Sequence, residues 1–81
     1  MKKKLMLIVN PAAGRGGYKQ GFTEALKVLD DSGFRTTLFY TSASGEATAF
    51  AAQYAKDFDT VACIGGDGTL SEVIAGLMRL D

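Results

Sequence analysis

Histidine is absent from this sequence, and cysteine occurs only once, as Cys63. These absences exclude a disulfide framework, a zinc cage built from cysteine and histidine, and every histidine-based catalytic triad. Cys63 lies between Ala62 and Ile64 in an apolar run, where a thiol usually packs as a small hydrophobic side chain. Any chemistry of this chain must therefore rest on other residue types.

Net charge is also absent, because nine basic side chains balance nine acidic ones. The single basic run, residues 2–4, is too short to be an electrostatic footprint for nucleic acid. The apolar stretch at residues 5–9 is too short for a membrane span or a typical secretory signal. We therefore expect a cytoplasmic protein that binds no nucleic acid.

The size and composition indicate one small globular domain. The chain has 81 residues, of which 47% are hydrophobic and 22% are charged, so disorder and collagen-like repeats are disfavoured. A core of this size provides only about 3–5 kcal/mol of stability. The chain should fold, with little stability to spare.

Hydrophobic periodicity predicts six elements in the order β-α-β-α-β-α. The predicted strands cover residues 4–10, 34–41 and 60–64, and the predicted helices lie within residues 18–32, 42–58 and 69–78. The first and third strands are continuously apolar, which is typical of strands buried on both faces of a parallel sheet. The second alternates in part and suggests a sheet edge. The pattern predicts a Rossmann-like three-layer α/β unit.

Helix ends are also marked in the sequence. Gly33 follows the first helical pattern, where a left-handed residue often ends a helix. Ser42 and Ser44 are candidate N-caps of the second helix. Thr69 and Glu72 have the spacing of a capping box, which is the simplest interpretation of Glu72.

Two glycine-rich loops, "NPAAGRGG" and "GGDG", follow the first and third predicted strands. Ligands of open α/β sheets bind outside the carboxyl ends of the strands. For both loops to share one ligand, these strands should be neighbours, which predicts the strand order 2-1-3. Neither loop matches the Walker A sequence or the dinucleotide fingerprint.

The second loop suggests a phosphate site. Gly65, Gly66 and Gly68 would expose N–H groups at the start of a helix, where an anion is favoured, although a simple tight turn explains glycines equally well. Asp67 would repel a phosphate unless a cation lies between them, and Mg²⁺ carried by a nucleotide is the best candidate. Helix capping is the alternative role for Asp67. Arg15 could pair with phosphate or remain solvated.

The motifs "IVNPAAG" and "GGDGTLSEV" together resemble the catalytic domain of the diacylglycerol kinases and related lipid kinases. The second motif alone also suits NAD kinases and, with a serine variant, phosphofructokinases, whereas the "NPAAG" loop is similar to the lipid kinases. The resemblance covers the entire chain.

The resemblance implies an enzyme that binds ATP and Mg²⁺ and transfers the γ-phosphate to a lipid hydroxyl, such as that of diacylglycerol. ATP would lie between this part and a β-rich second domain. The positions expected to contact the nucleotide are Asn10, Pro11, Ala12, Ala13, Gly14, Thr41, Gly65, Gly66, Asp67, Gly68, Thr69, Leu70, Ser71 and Glu72. Asp67 would act catalytically, close to the metal and the transferring phosphate.

The sequence departs from the family by stopping at Asp81, before the second domain, its metal-binding acids and the general base. We expect residues 1–81 to be the N-terminal ATP-binding part of a longer kinase and to be inactive alone. The lipid acceptor and any peripheral membrane contact would belong to the longer protein. The free edge of the third strand predicts self-association. The alternatives are an NAD kinase-like lobe and a non-catalytic nucleotide-binding module.

Overall fold

The computed structural model describes residues 2–80, without the side chains of residues 14 and 15. Three parallel strands form one sheet: β1 (Lys3–Val9), β2 (Phe34–Tyr40) and β3 (Thr60–Ile64). The strand order is β2-β1-β3, with Val9 opposite Tyr40 on one side and Ile64 on the other. The predicted order is confirmed, and the carboxyl ends of all three strands lie at one edge.

The helices alternate with the strands as predicted: α1 (Phe22–Asp31), α2 (Glu46–Tyr54) and α3 (Asp67–Leu77). The first helix begins later than expected, because a 3₁₀ helix at Ala13–Lys19 precedes it and Gly21 has φ +76°. A residue in that left-handed region cannot continue a right-handed helix. Gly33 ends the same segment with φ +95°, as predicted.

The sheet separates two cores, which makes the unit three-layered. Met6 and Ile8 of β1 face α2 and α3, whereas Leu5, Leu7 and Val9 face α1 and the 3₁₀ helix. All five side chains are buried because β1 is the central strand. Alternate residues of a strand point to opposite faces, so a continuous apolar run is required here.

Only part of the predicted apolar stripe of α3 is buried. Val73 is 4% exposed, but Leu70, Ile74 and Met78 are 49%, 50% and 80% exposed. The sheet ends at β3 within residues 2–80, so no described element covers that side of α3. The expected full burial of β3 is wrong for the same reason, since residues 61–64 are only partly buried.

A membrane-spanning helix must be long and predominantly apolar. Within residues 2–80, none of the helices has the length and hydrophobicity needed to cross a bilayer.

Candidate functional site

The loops that follow the three strands meet at the carboxyl edge of the sheet, beside the first turns of α3. The loops after β1 and β2 and the first two turns of α3 border an open cavity of about 600 Å³. Its lining residues are Asn10, Pro11, Ala12, Thr41, Ser42, Ala43, Ser44, Ala47, Gly68, Thr69 and Glu72. Residues far apart in the sequence are therefore brought together where ligands of such sheets bind.

Asn10 joins the loop after β1 to the rest of the site. Its backbone N–H donates to the carbonyl oxygen of Ile64 over 2.9 Å, so the loop leaves the sheet beside β3. Its side-chain Oδ1 accepts from the N–H of Ala12 at 3.1 Å, and its Nδ2 donates to Oγ1 of Thr69 at 3.2 Å. One amide side chain thus shapes its own loop and connects it to α3.

Thr41 occupies the rim position expected from the sequence. Its backbone N–H donates to the carbonyl oxygen of Val9 at 2.9 Å, and its Oγ1 lies 3.4 Å from the same oxygen. The residue is buried. Thr41 therefore fixes the point at which the loop after β2 leaves the sheet.

The three glycines after β3 do different things. A Cβ atom on Gly65 would lie 2.4 Å from Oγ1 of Thr69, whereas one on Gly68 would have no heavy atom within 4 Å. Gly65 is thus needed for close packing, while Gly68 keeps space open beside the cavity. Gly66 is the extended N-cap of α3. The tight-turn interpretation therefore explains Gly65 but leaves Gly68 without a structural requirement.

The beginning of α3 offers backbone donors and an unpaired acid. The N–H groups of Asp67, Gly68 and Thr69, its first three residues, have no intrahelical acceptor. The carboxylate of Asp67 is exposed, and none of the described groups, which leave out the side chains of residues 14 and 15, donates a hydrogen bond to it. The capping interpretation of Asp67 is therefore not supported, because Gly66 occupies the N-cap position.

The predicted capping box is wrong. Because α3 begins at Asp67, Thr69 lies inside the helix rather than at its N-cap. Oε1 of Glu72 instead accepts a hydrogen bond from the N–H of Gly45 at 3.1 Å. Glu72 therefore contacts the start of α2 and not the start of its own helix.

The predicted N-caps of α2 are also wrong. Gly45, with φ +89°, is the N-cap, and the carboxylate of Glu46 accepts hydrogen bonds from the backbone N–H and the Oγ of Ser42 and from the N–H of Ala43. The backbone N–H of Ser42 is the main cause that lowers the pKa of Glu46, and the Ser42 hydroxyl adds to it. The carboxylate of Glu46 thus accepts hydrogen bonds from the loop that precedes α2. Ser42 is a donor in this contact and not an N-cap.

A second, shallower cavity of about 320 Å³ lies on the other side of the Asn10 loop. Its lining residues are Ala13, Tyr18, Ile64, Gly65 and Gly66. The structure therefore divides the predicted site between two neighbouring cavities. Asp67, Leu70 and Ser71 line neither of them. The predicted phosphate contact of Arg15 lies outside the described side chains, as do the surroundings of Gly14.

Sequence reasoning missed several lining residues. Ser42 and Ser44 were interpreted as caps and Ala47 as a core residue, and Tyr18 was assigned to a helix. The segment "SASG" follows the second predicted strand. Because ligands of such sheets bind beyond strand ends, its position makes this third loop a site candidate as much as the two glycine-rich loops.

The charges at the larger cavity are acidic. Among the described side chains, Glu72 is the only ionisable one that lines it, and within residues 2–80 no three His, Cys, Asp or Glu side chains cluster as a metal site. An Mg²⁺ ion here would need ligands that these residues do not supply, and nucleotide phosphates usually supply them.

Burial raises the pKa of the Cys63 thiol, which fits a packing role for that side chain.

The arrangement has close relatives among known proteins. A diacylglycerol kinase of Bacillus subtilis strain 168 is 36% identical over 80 residues, which cover 98% of this chain and 26% of that protein. A diacylglycerol kinase of Staphylococcus saprophyticus is 37% identical over 78 residues, covering 95% of this chain and 26% of the relative. The chain thus spans about a quarter of the curated relatives it matches.

The fold is similar to solved structures as well. A crystal structure of a diacylglycerol kinase from Bacillus anthracis strain Sterne superposes with a TM-score of 0.84 at 34% identity, over 98% of this chain and 27% of that one. The family model of the diacylglycerol kinase catalytic domain matches residues 4–81. This chain therefore belongs to the diacylglycerol kinase catalytic domain family.

Proposed function

We propose that residues 1–81 form the N-terminal ATP-binding part of a longer lipid kinase, which transfers the γ-phosphate of ATP to a lipid hydroxyl such as that of diacylglycerol. The observation that supports this best is the meeting of the loops after β1 and β2 with the start of α3 at one cavity, because the first N–H groups of that helix have no intrahelical acceptor. The diacylglycerol kinase relatives support the reaction class. The Asn10-Pro11 loop and the family match favour it over an NAD kinase-like lobe.

The residues at the larger cavity suit a phosphate chain. The first N–H groups of α3 and the positive end of its dipole favour an anion, and the open space beside Gly68 allows an oxygen to approach the backbone. Hydroxyl groups from the loop after β2 add neutral donors. Positioning and charge stabilisation provide most of the acceleration of phosphoryl transfer, and these groups provide both without changing protonation.

Asp67 is the proposed catalytic residue of this part. Its carboxylate stands at the first position of α3 without a hydrogen-bond partner among the described residues, so it is free to face a cation. Mg²⁺ bound to ATP would neutralise phosphate charge there, since this ion usually combines one or two carboxylates with substrate phosphates. The acceptor site, a general base and any peripheral contact with a membrane are assigned to the rest of the longer protein.

We also propose that the isolated chain associates with a second copy through β3. The outer edge of this strand has no partner within residues 2–80, and its sequence "TVACI" contains neither a charge nor a proline. Free N–H and C=O groups on such an edge recruit other strands.

A titration of the isolated chain with Mg²⁺ and ATP, followed by amide NMR, tests the proposed nucleotide site. We expect the largest shifts at the amides of residues 10, 12, 42–44 and 66–69. Gly68→Val should abolish them, because its side chain fills the space that a phosphate would occupy. Gly17→Val is the matched control, since a Cβ there also has no neighbour within 4 Å and residue 17 does not line the larger cavity. Shifts that survive in Gly68→Val would contradict the proposed site.

A further inference from the structure

Two of the loops at the larger cavity are connected to α3 by side-chain hydrogen bonds. The loop after β1 is connected by Asn10, whose Nδ2 donates to Oγ1 of Thr69. The loop after β2 is connected by Glu72, whose Oε1 accepts from the N–H of Gly45 at 3.1 Å. Thr69 and Glu72 both belong to the first two turns of α3. These turns therefore determine the distance between the loop after β1 and the loop after β2, which form two walls of the larger cavity.

The wall after β2 is held at both of its ends. At one end, the N–H of Thr41 donates to the carbonyl oxygen of Val9 in the central strand. The carboxylate of Glu46 then holds Ser42 and Ala43, which is an interaction within the same segment. Glu72 is the side chain that reaches this loop from another element of the described chain.

A second contact fixes the geometry of this bond. Oγ1 of Thr48 in α2 donates to the backbone carbonyl oxygen of Glu72 at 2.7 Å, and α2 and α3 are in direct contact at Gly76 and Ala51. The backbone of Glu72 is thus held against α2, and its side chain extends along α2 to Gly45. Gly45 has φ +89°, which glycine adopts without strain, so the hydrogen bond from its N–H to Glu72 is the contact that links this turn to α3.

We infer that Glu72 is a positioning residue, which holds the loop after β2 at the distance a nucleotide requires and does so by accepting one hydrogen bond. The inference rests on the proposed nucleotide site. The inference gives the two acidic residues of α3 different roles. Asp67 has no partner in the described residues and acts through its charge, whereas Glu72 acts through an acceptor oxygen. A glutamine at residue 72 keeps that oxygen and loses the charge.

The test compares Glu72→Gln and Glu72→Ala in this chain. Thr48→Val is the matched control, because it removes the neighbouring hydrogen bond between α2 and α3 and leaves the one to Gly45 intact. Two quantities are measured for each variant: the exchange rate of the Gly45 amide without nucleotide, and the affinity for ATP in the presence of Mg²⁺. The amide of Gly33, at the amino end of the sheet, is the reference for exchange away from the site, and urea denaturation of each variant measures any general loss of stability.

We expect Glu72→Ala to accelerate exchange at Gly45 by at least about tenfold relative to Gly33. It should weaken ATP binding by at least about fivefold. Glu72→Gln should exchange like the wild type at Gly45 and lose clearly less ATP affinity than Glu72→Ala, and Thr48→Val should preserve both Gly45 exchange and ATP affinity.

Three results would overturn the inference. Glu72→Gln could lose as much ATP affinity as Glu72→Ala, which would indicate a role for the charge. Thr48→Val could match Glu72→Ala, which would indicate general packing. Gly45 exchange could be unchanged in Glu72→Ala. If Glu72→Ala does not fold, the ATP affinity of Glu72→Gln still decides between charge and hydrogen bonding. Absence of ATP binding in the wild type would instead reject the proposed function, while the Gly45 measurement would still test the bond.

Discussion

Gly76 of α3 lies so close to Ala51 of α2 that a Cβ atom on Gly76 would be 2.7 Å from the Ala51 Cβ. The same atom would be 2.4 Å from the carbonyl oxygen of Thr48. This contact places α3 against the start of α2, and with it the loop that forms one wall of the cavity.

Gly76→Ala should therefore destabilise the chain. The added methyl group meets backbone as well as a side chain, so the helices must separate, and overpacking of this kind costs about 1–3 kcal/mol. Urea denaturation measures the loss. Gly68→Ala is the control within the same helix: it meets nothing within 4 Å and should leave stability unchanged or raise it by up to about 1 kcal/mol. Equal losses in both variants would show that the helix contact is not decisive.

Asp67→Asn in the longer kinase should reduce turnover by at least about tenfold, which is about 1.4 kcal/mol of barrier. Its stability should change little, because no described group donates a hydrogen bond to the Asp67 carboxylate and the charge at the helix start contributes only about 0.3–1 kcal/mol. Initial rates and thermal melting give the two numbers. Asp31→Asn, on the exposed end of α1, should change neither. A destabilised Asp67→Asn with full activity per folded molecule would contradict a catalytic role.

Acid should loosen the loop after β2 through Glu46. Its hydrogen bonds with Ser42 lower the pKa of this carboxyl below the ordinary 4.5. A depressed pKa in the folded state adds stability above the ordinary value, and this stability is lost as pH falls through the folded value. Thermal melting between about pH 6 and about pH 3 should therefore show a larger drop for the wild type than for Glu46→Gln. Ser42→Ala should show an intermediate drop. Parallel curves for all three proteins would rule out this contribution.

The isolated chain should form dimers or larger species at high concentration. Pairing through the free edge of β3 satisfies N–H and C=O groups that have no partner in the described residues. Light scattering over a concentration series measures the mass. Thr60→Lys places a charge at the exposed start of this strand and should shift the equilibrium toward monomer, because lysine blunts sheet edges. A monomeric mass at every concentration would count against the edge contact.

The isolated chain should phosphorylate no lipid. Transfer requires the acceptor, the γ-phosphate, Mg²⁺ and a proton-accepting group to be held together, and the described residues supply only the phosphate side. Incubation with labelled ATP, Mg²⁺ and dispersed diacylglycerol should yield no labelled phosphatidate above the level of a Gly68→Val sample. Sustained turnover above that level would mean that these residues contain a complete active site.

The sequence predicted the architecture well for a physical reason. The runs at β1 and β3 are continuously apolar, and the helices carry apolar residues at helical spacing, so the alternation of strand and helix was visible. The strand order followed from two glycine-rich loops at strand ends. Leu70 and Ile74 were predicted to be buried because periodicity reports which residues share a face, but not whether another element covers that face.

The sequence predicted the loops of the candidate site better than the roles of individual side chains. Thr69 and Glu72 fit a capping box by spacing alone, but the helix begins three residues earlier than that box requires, with Gly66 as its N-cap. The residue type of Ser42 predicts a cap, whereas in the structure its hydroxyl donates a hydrogen bond to Glu46. Cap assignments depend on the exact first residue of a helix, which local propensity does not determine.

Short segments of the sequence are sufficient to predict the elements, their order and the family, because these depend on periodicity and on local motifs. The hydrogen bonds from Asn10 to Thr69 and from Gly45 to Glu72 depend instead on how the whole chain packs. Each pair joins segments that are distant in the chain, and the packing of α3 against α2 brings the second pair within hydrogen-bond distance. The local sequence does not predict these distances, because they result from the packing of the whole core.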